Sequence, residues 1–166
     1  MTHDELVNLI RHGVAVKGGT WADFGAGSGQ FTRALRELIG PQATLYAIDR
    51  DSWTLRAQPD DVHTINADFT DPLNLPVLDG LLVANALHFV PHQDEAITAL
   101  AAYLKPGGRF LLVEYEQRLP WTPFALPYAR FATLAQSTGL THVERIASRT
   151  SPTTGATMYA ASAVSS

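Results

Sequence analysis

Thr20-Trp21-Ala22-Asp23-Phe24-Gly25-Ala26-Gly27-Ser28-Gly29 is the stretch that decides the fold of this 166-residue chain. A short mixed run breaks into three alternating glycines. Phe31, Leu35, Leu38 and Ile39 then recur at helical spacing until Gly40-Pro41 ends the pattern. The order predicted is strand, glycine loop, helix. Downstream, Ala43 to Ile48 reads as a second strand ending at Asp49, Ser52 to Ala57 as a short helix before Pro59, and Val62 to Asn66 as a third strand. Asp71-Pro72 and Pro76 mark an irregular connection, and the apolar run Leu81-Leu82-Val83-Ala84 follows as a fully buried strand. Pro91 to Leu104 places Ile97, Leu100, Ala101 and Leu104 on one helical face. Lys105-Pro106-Gly107-Gly108 turns the chain into a strand over Arg109 to Glu114.

The C-terminal third is read as a helix over Pro127 to Ser137, a turn at Gly139, and strands over Thr141 to Ala147 and Ala156 to Val164. Upstream, Asp4 to His12 forms an amphipathic lead-in that reaches the Gly18-Gly19 turn. Strands alternating with helices imply an α/β protein with a parallel sheet covered on both faces. The last two strands, with no helix between them, should pair antiparallel. No internal repeat or linker divides the chain, so one domain is expected over residues 1–166, with 1–19 as lead-in and 20–164 as core.

Composition narrows the partners. The formal charge is −4 and the 12 basic residues form no stripe, which disfavours nucleic acid. Cysteine is absent, so disulfides, thiolate metal sites and a catalytic thiol are all excluded. The start, Met1-Thr2-His3-Asp4-Glu5, lacks the features of a secretion signal, and no apolar run approaches membrane-spanning length. A cytoplasmic protein with no membrane contact is the expectation, and nothing indicates an oligomer.

A glycine turn between strand and helix lets a ligand reach the backbone where a side chain would collide, with the helix N-terminus facing it. Asp49 lies about twenty residues on, at the end of the next strand, where a carboxylate accepts both hydroxyls of an adenosine ribose. Two classes of enzyme own such a site, dinucleotide dehydrogenases and methyltransferases. The dehydrogenase loop wants its third glycine one position later, where Gln30 stands.

At this point the sequence resembles the class I S-adenosylmethionine-dependent methyltransferases, as a small-molecule member with a minimal cap. Ala22 to Gly29 resembles the family's first motif and Ala47-Ile48-Asp49 its second. Asn66-Ala67-Asp68-Phe69 is similar to the third, Asp79 to His88 to the fourth strand and its loop, and Leu104 to Phe110 to the turn into the fifth strand. The resemblance implies a Rossmann-like three-layer sandwich, with a seven-stranded, mostly parallel sheet whose last strand is antiparallel. It implies S-adenosyl-L-methionine as cofactor and S-adenosyl-L-homocysteine as product. Its cofactor residues would be Asp23 near the methionine moiety, Gly25, Ala26, Gly27 and Gly29 in the loop, Asp49 on the ribose with Arg50 beside it, Asp68 and Phe69 at the adenine, and Asn85 beneath the methyl donor. The segment Ser52 to Ala57 and the connection from Phe69 to Leu78 are shorter than is common in the family.

Each residue also has a plainer structural reading. Asp23 lies in an apolar strand, so a hydrogen-bond network or the cofactor must satisfy it. His88, after the fourth strand, is a candidate general base at the rim of the site or a packing residue. Tyr115 and Trp121 are candidate acceptor-binding residues, and Glu114 is expected either to face substrate or to be solvated at its strand end. Trp121, Phe124, Tyr128 and Phe131 form either an apolar lid or the packing of the last helix. His12, His63, His92 and His142 lack metal-ligand spacing and are expected on the surface, and no metal is expected.

Transfer from a sulfonium is an in-line displacement that needs positioning more than an obligatory catalytic group. Without cysteine the thiolate-adduct route to methylated pyrimidines is closed. Asn85-Ala86-Leu87-His88 departs from the Asn/Asp-Pro-Pro-aromatic pattern of enzymes that methylate base amines or glutamine. O-, N- or C-methylation of a small or apolar acceptor, or of a protein side chain, remains, with small molecules favoured by the acidic charge and the clustered aromatics. Two alternatives stay open: a non-catalytic module that binds the cofactor or a partner, and, less favoured, a nicotinamide oxidoreductase, which Gln30 and the lack of a Tyr-x-x-x-Lys pair oppose.

Overall fold

Alternation along the central strands sorts side chains into two layers, and a computed structural model describing residues 1–166 shows both. Strands β1 (Thr20–Phe24), β2 (Thr44–Asp49), β3 (His63–Asn66), β4 (Leu78–Ala84), β5 (Leu104–Tyr115), β6 (Thr141–Thr150) and β7 (Thr157–Val164) form one sheet in the order β3-β2-β1-β4-β5-β7-β6. Trp21, Leu45, Ala47, Leu82, Leu111 and Val113 face helices α1 (His3–Ile10) and α2 (Gln30–Ile39). Ala22, Phe24, Ile48, Leu81, Val83, Phe110 and Leu112 face α3 (Gln93–Ala101) and α4 (Tyr128–Ser137). The central strands therefore bury both faces, which is what parallel strands between helical layers require. The expected Rossmann-like sandwich is present, with β7 antiparallel to both β5 and β6.

Three local readings change. Lys105 to Gly108 is an excursion within β5 rather than a turn ahead of it: the register moves from Leu78 opposite Leu104 to Gly80 opposite Arg109, two residues on β4 against five on β5. Gly107 takes φ +80, and the looped-out backbone pairs with the chain end, Gly107 N–H donating to Ser165 O and Ser165 N–H to Gly108 O. Helix α3 consequently stops at Ala101, because Leu104 is already paired with β4. β6 runs three residues past Ala147, since its pairing with β7 continues to Thr150 opposite Thr157. An edge strand this exposed carries too little alternation for its end to be read from sequence.

The N-terminal lead-in is fixed at both ends. Thr2 accepts from the Glu5 N–H and Glu5 accepts from the Thr2 N–H, a reciprocal cap that satisfies two otherwise free donors of α1. The apolar face of α1, Leu6, Val7, Leu9 and Ile10, is buried in the layer that contains α2. No helix is long and apolar enough to cross a membrane.

Packing at the sheet centre is tight. Trp21 on β1 lies beside Gly80 on β4, and a Cβ at Gly80 would fall 2.2 Å from the indole ring. Gly80→Ala should therefore cost about 1–3 kcal/mol by overpacking. The check is urea unfolding, with a lowered midpoint at unchanged slope.

Candidate functional site

The site forms where the strand order reverses. From β1 the chain proceeds outward to β2 and β3, then returns to place β4 on β1's other side, so the loops after β1 and β4 diverge and leave a crevice at the strands' C-terminal ends. Gly25 leaves β1 at this point, and its N–H and that of Ala26 both donate to Ile48 O, at 2.8 and 3.0 Å. Gly25 has φ +76, and a Cβ there would lie 2.6 Å from the Ala86 methyl and 3.4 Å from the Phe69 ring, filling the crevice. Only glycine leaves it open.

The loop is held from three sides. Gly27 N–H donates to Asp49 Oδ2 at 2.9 Å, while Asp51 N–H donates to Asp49 Oδ1 at 2.8 Å. Each carboxylate oxygen keeps a further lone-pair direction for a ligand hydroxyl. The Gln58 amide donates to Gly27 O at 3.0 Å, and Arg33 joins Ser28 O to Ala57 O. Beneath the loop, Thr32 on α2 donates to Asp23 Oδ2 at 2.7 Å, whereas Asp23 Oδ1 is buried without a partner. Burial pushes the Asp23 carboxyl up to about 7; the Thr32 hydrogen bond opposes this and the Asp49 carboxylate adds a smaller upward push.

Gly25, Asp49, Arg50, Asp68, Phe69 and Asn85 line one cleft of about 360 Å³. Ala86, Phe89, Val90, Pro91 and Thr70 complete its wall. The Thr70 hydroxyl and backbone N–H both donate to Asp68 Oδ1 and hold that carboxyl below its ordinary range, leaving it anionic with its second oxygen unengaged. Phe69 packs edge-on against Phe24, ring centres 6.4 Å apart. Ala26, Gly27, Gly29 and Asp23 support this wall without lining it.

Asn85 also lines a second cavity, of about 490 Å³, together with Tyr115 and Trp121. It adopts φ +53, a left-handed conformation uncommon outside glycine, because its N–H is held by Val113 O at 2.8 Å just as the chain must turn away from β4. Its side-chain oxygen is buried without a partner. Tyr115 and Trp121 meet edge to face at 6.0 Å.

The candidate base His88 is placed elsewhere. It is 2% exposed and lines neither cavity. Glu114, expected to face substrate or to be solvated, is fully buried: it accepts the His88 N–H at 3.0 Å and contacts His88 Nδ1 at 2.7 Å. The segment after β5 covers the pair, with Phe124 N–H donating to His88 O. A strand end is solvated only if nothing folds back over it, and here the chain does. This buried, mutually satisfied pair joins the β4 loop to β5. The aromatic cluster likewise divides: Phe131 is core, Tyr128 packs on Tyr159, and Trp121 and Phe124 stay exposed at the rim. His12, His63, His92 and His142 are exposed.

Gln58, Phe89 and the β6–β7 hairpin, all part of this region, carry no local motif. Gln58 stands in an irregular segment whose contact with the loop is made only on folding, and the hairpin lies more than a hundred residues from the glycines in sequence.

Comparison with known proteins agrees with this geometry. Residues 22–112 match a family model described as methyltransferase domain. The ubiquinone/menaquinone biosynthesis C-methyltransferase UbiE of Pseudomonas paraeruginosa is 31% identical over 106 residues, covering 57% of this chain and 41% of that protein. The match thus spans about two-fifths of the length of such relatives. Among solved structures, the YcgJ protein of Bacillus subtilis superposes with TM-score 0.79 at 13% identity, covering 98% of this chain and 99% of that one. The 1,6-didemethyltoxoflavin-N1-methyltransferase of Burkholderia thailandensis, solved with its substrate and S-adenosylhomocysteine, gives TM-score 0.73 at 16% identity over 99% of this chain and 78% of that one.

Asp23 makes stability depend on pH. Its folded-state pKa of about 7 exceeds the ordinary 3.8, so between those values the native state binds the additional proton and stability falls as pH rises. Asp23→Asn should abolish this slope, gaining on the wild type by up to on the order of 4 kcal/mol between pH 4 and pH 8. Urea unfolding of both proteins across that range measures it; a difference independent of pH would mean that Asp23 keeps one charge state throughout.

Proposed function

Because this chain belongs to the methyltransferase-domain family, we propose that it is an S-adenosylmethionine-dependent methyltransferase acting on a small or apolar acceptor. The observation that carries the reading is the meeting of two unlike cavities at Asn85. One bears the carboxylates Asp49 and Asp68; the other carries the aromatic corner of Tyr115 and Trp121 and no carboxylate.

The residues present fit the cofactor. Gly25 keeps open the space that a Cβ would fill. Asp49 presents two oxygens to the ribose hydroxyls, and Arg50 lies beside it on the cleft wall. Asp68, held ionised by Thr70, would accept from the adenine amino group, and Phe69 lines the same cleft. Asn85 stands between donor and acceptor, and Asp23 sets the loop from below through Thr32. When bound, the cofactor would supply an electrophilic methyl group for in-line displacement by the acceptor. The protein's part is to align the two molecules across Asn85 and to restrict water, which is sufficient for an in-line displacement. In this reading His88, buried against Glu114, is a positioning residue that holds the β4 loop.

Isothermal titration with S-adenosylhomocysteine is the first test. Asp49→Ala removes two charge-assisted bonds to the ribose and should weaken binding by at least about 30-fold, roughly 2 kcal/mol. Thermal melting of the variant controls for the loss of acceptors for Gly27 and Asp51. Unchanged affinity would overturn the assignment. Tight binding without radiolabelled methyl transfer to any member of a broad acceptor panel would reassign the chain as a cofactor-binding module.

A further inference from the structure

The second cavity carries a chemical signature that the donor cleft lacks. Arg149 is the one side chain lining it that is always charged, and no carboxylate lines it. Arg149 belongs to β6, next to the Ser151–Gly155 hairpin loop, and reaches across to α1, where one terminal nitrogen meets Glu5 Oε1 at 2.9 Å. The other Glu5 oxygen is occupied by the Thr2 N–H at 2.8 Å. Of the five guanidinium N–H donors, those on Nε and on the second terminal nitrogen engage nothing in the protein. The pair is about one-third exposed on each side, so it contributes little to stability and leaves the guanidinium able to share a second anion. Phe31, Tyr115, Trp121 and Met158 give the cavity apolar and aromatic surface, and Gln30, Ser151, Thr153 and Thr154 line it with neutral polar groups.

We infer that the acceptor is a small aromatic carboxylate, its ring against the Tyr115–Trp121 corner, its carboxylate on the free donors of Arg149, and its reacting end toward Asn85. This inference rests on the methyltransferase reading for the word acceptor, but the cavity's preference for an aromatic anion stands on Arg149 and its neighbours. With one Nη2–H committed to Glu5, the planar guanidinium keeps one complete N–H edge, which matches a carboxylate in geometry as well as charge. Arg149 is thus a specificity residue and Glu5 its competitor: the internal carboxylate orients the guanidinium and yields part of it to the incoming one.

The test uses the full chain saturated with S-adenosylhomocysteine and titrates two probes of matched shape, 2-naphthoate and the uncharged 2-naphthamide. The wild type should bind the acid at least about tenfold more tightly than the amide, the value of one added hydrogen bond to a charged group. Arg149→Gln should bring the acid to the level of the amide while leaving the amide and S-adenosylhomocysteine unaffected. Arg149→Lys should restore part of the preference. Glu5→Gln, which keeps the helix cap, should hold or raise acid affinity. Equal affinities in the wild type, no binding of either probe, parallel loss of both in Arg149→Gln, or displacement of S-adenosylhomocysteine by the acid would each overturn the proposal. Failure of S-adenosylhomocysteine to bind would count against the methyltransferase reading instead, and the acid–amide comparison on the free protein would still decide the cavity's preference.

Discussion

A single hydrogen bond, from the Gly27 N–H to the Asp49 carboxylate at 2.9 Å, ties the glycine loop to the end of the neighbouring strand, and the architecture of the site depends on it. With it, the carboxylate is fixed beside the loop, Gly25 is held at Ile48 O, and the crevice between β1 and β4 acquires one rigid wall. Gln58, Arg33 and Thr32 reinforce that wall from the sides away from the cleft. The buried Asp23 is costly when ionised, because only one of its carboxylate oxygens is hydrogen-bonded, to Thr32 on α2.

The opposite wall comes from β4 and β5. Asn85 turns out of the sheet in a left-handed conformation while Val113 holds its N–H, and the buried His88–Glu114 pair pins the next turn to β5. The same pair accounts for the burial of this histidine: its ring contacts a carboxylate that has no access to water. The antiparallel strand β7 then brings the β6–β7 hairpin back toward α1. Two segments from opposite ends of the chain thereby close the second cavity, and the Arg149–Glu5 contact joins them.

Much of the lining of the cleft beside the glycine loop was legible because its residues fall in local motifs. Gly25, Asp49, Asp68, Phe69 and Asn85 each stand at a strand end, and strand ends follow from hydrophobic pattern and glycine placement. Errors arose where a residue's surroundings come from far along the chain. Glu114 looked accessible because nothing near it in sequence buries it; the segment that contains Phe124 does so from ten residues away. Lys105 to Gly108 looked like a free turn, yet its backbone pairs with Ser165 at the other end of the chain. Trp121 and Phe131 are both aromatic and close in sequence, and only packing separates the rim residue from the core residue.

What the sequence determined by itself is therefore the layered α/β fold and the side of the sheet that accepts a nucleotide-like ligand, since both rest on period, glycine conformation and short-range spacing. Tertiary structure alone decided which polar groups are spent internally and which remain available. His88 and Glu114 satisfy one another, Asp23 is half-satisfied by Thr32, and Arg149 keeps donors to spare. A side chain's chemistry is set by its residue type, but its availability depends on partners that folding brings from distant parts of the chain.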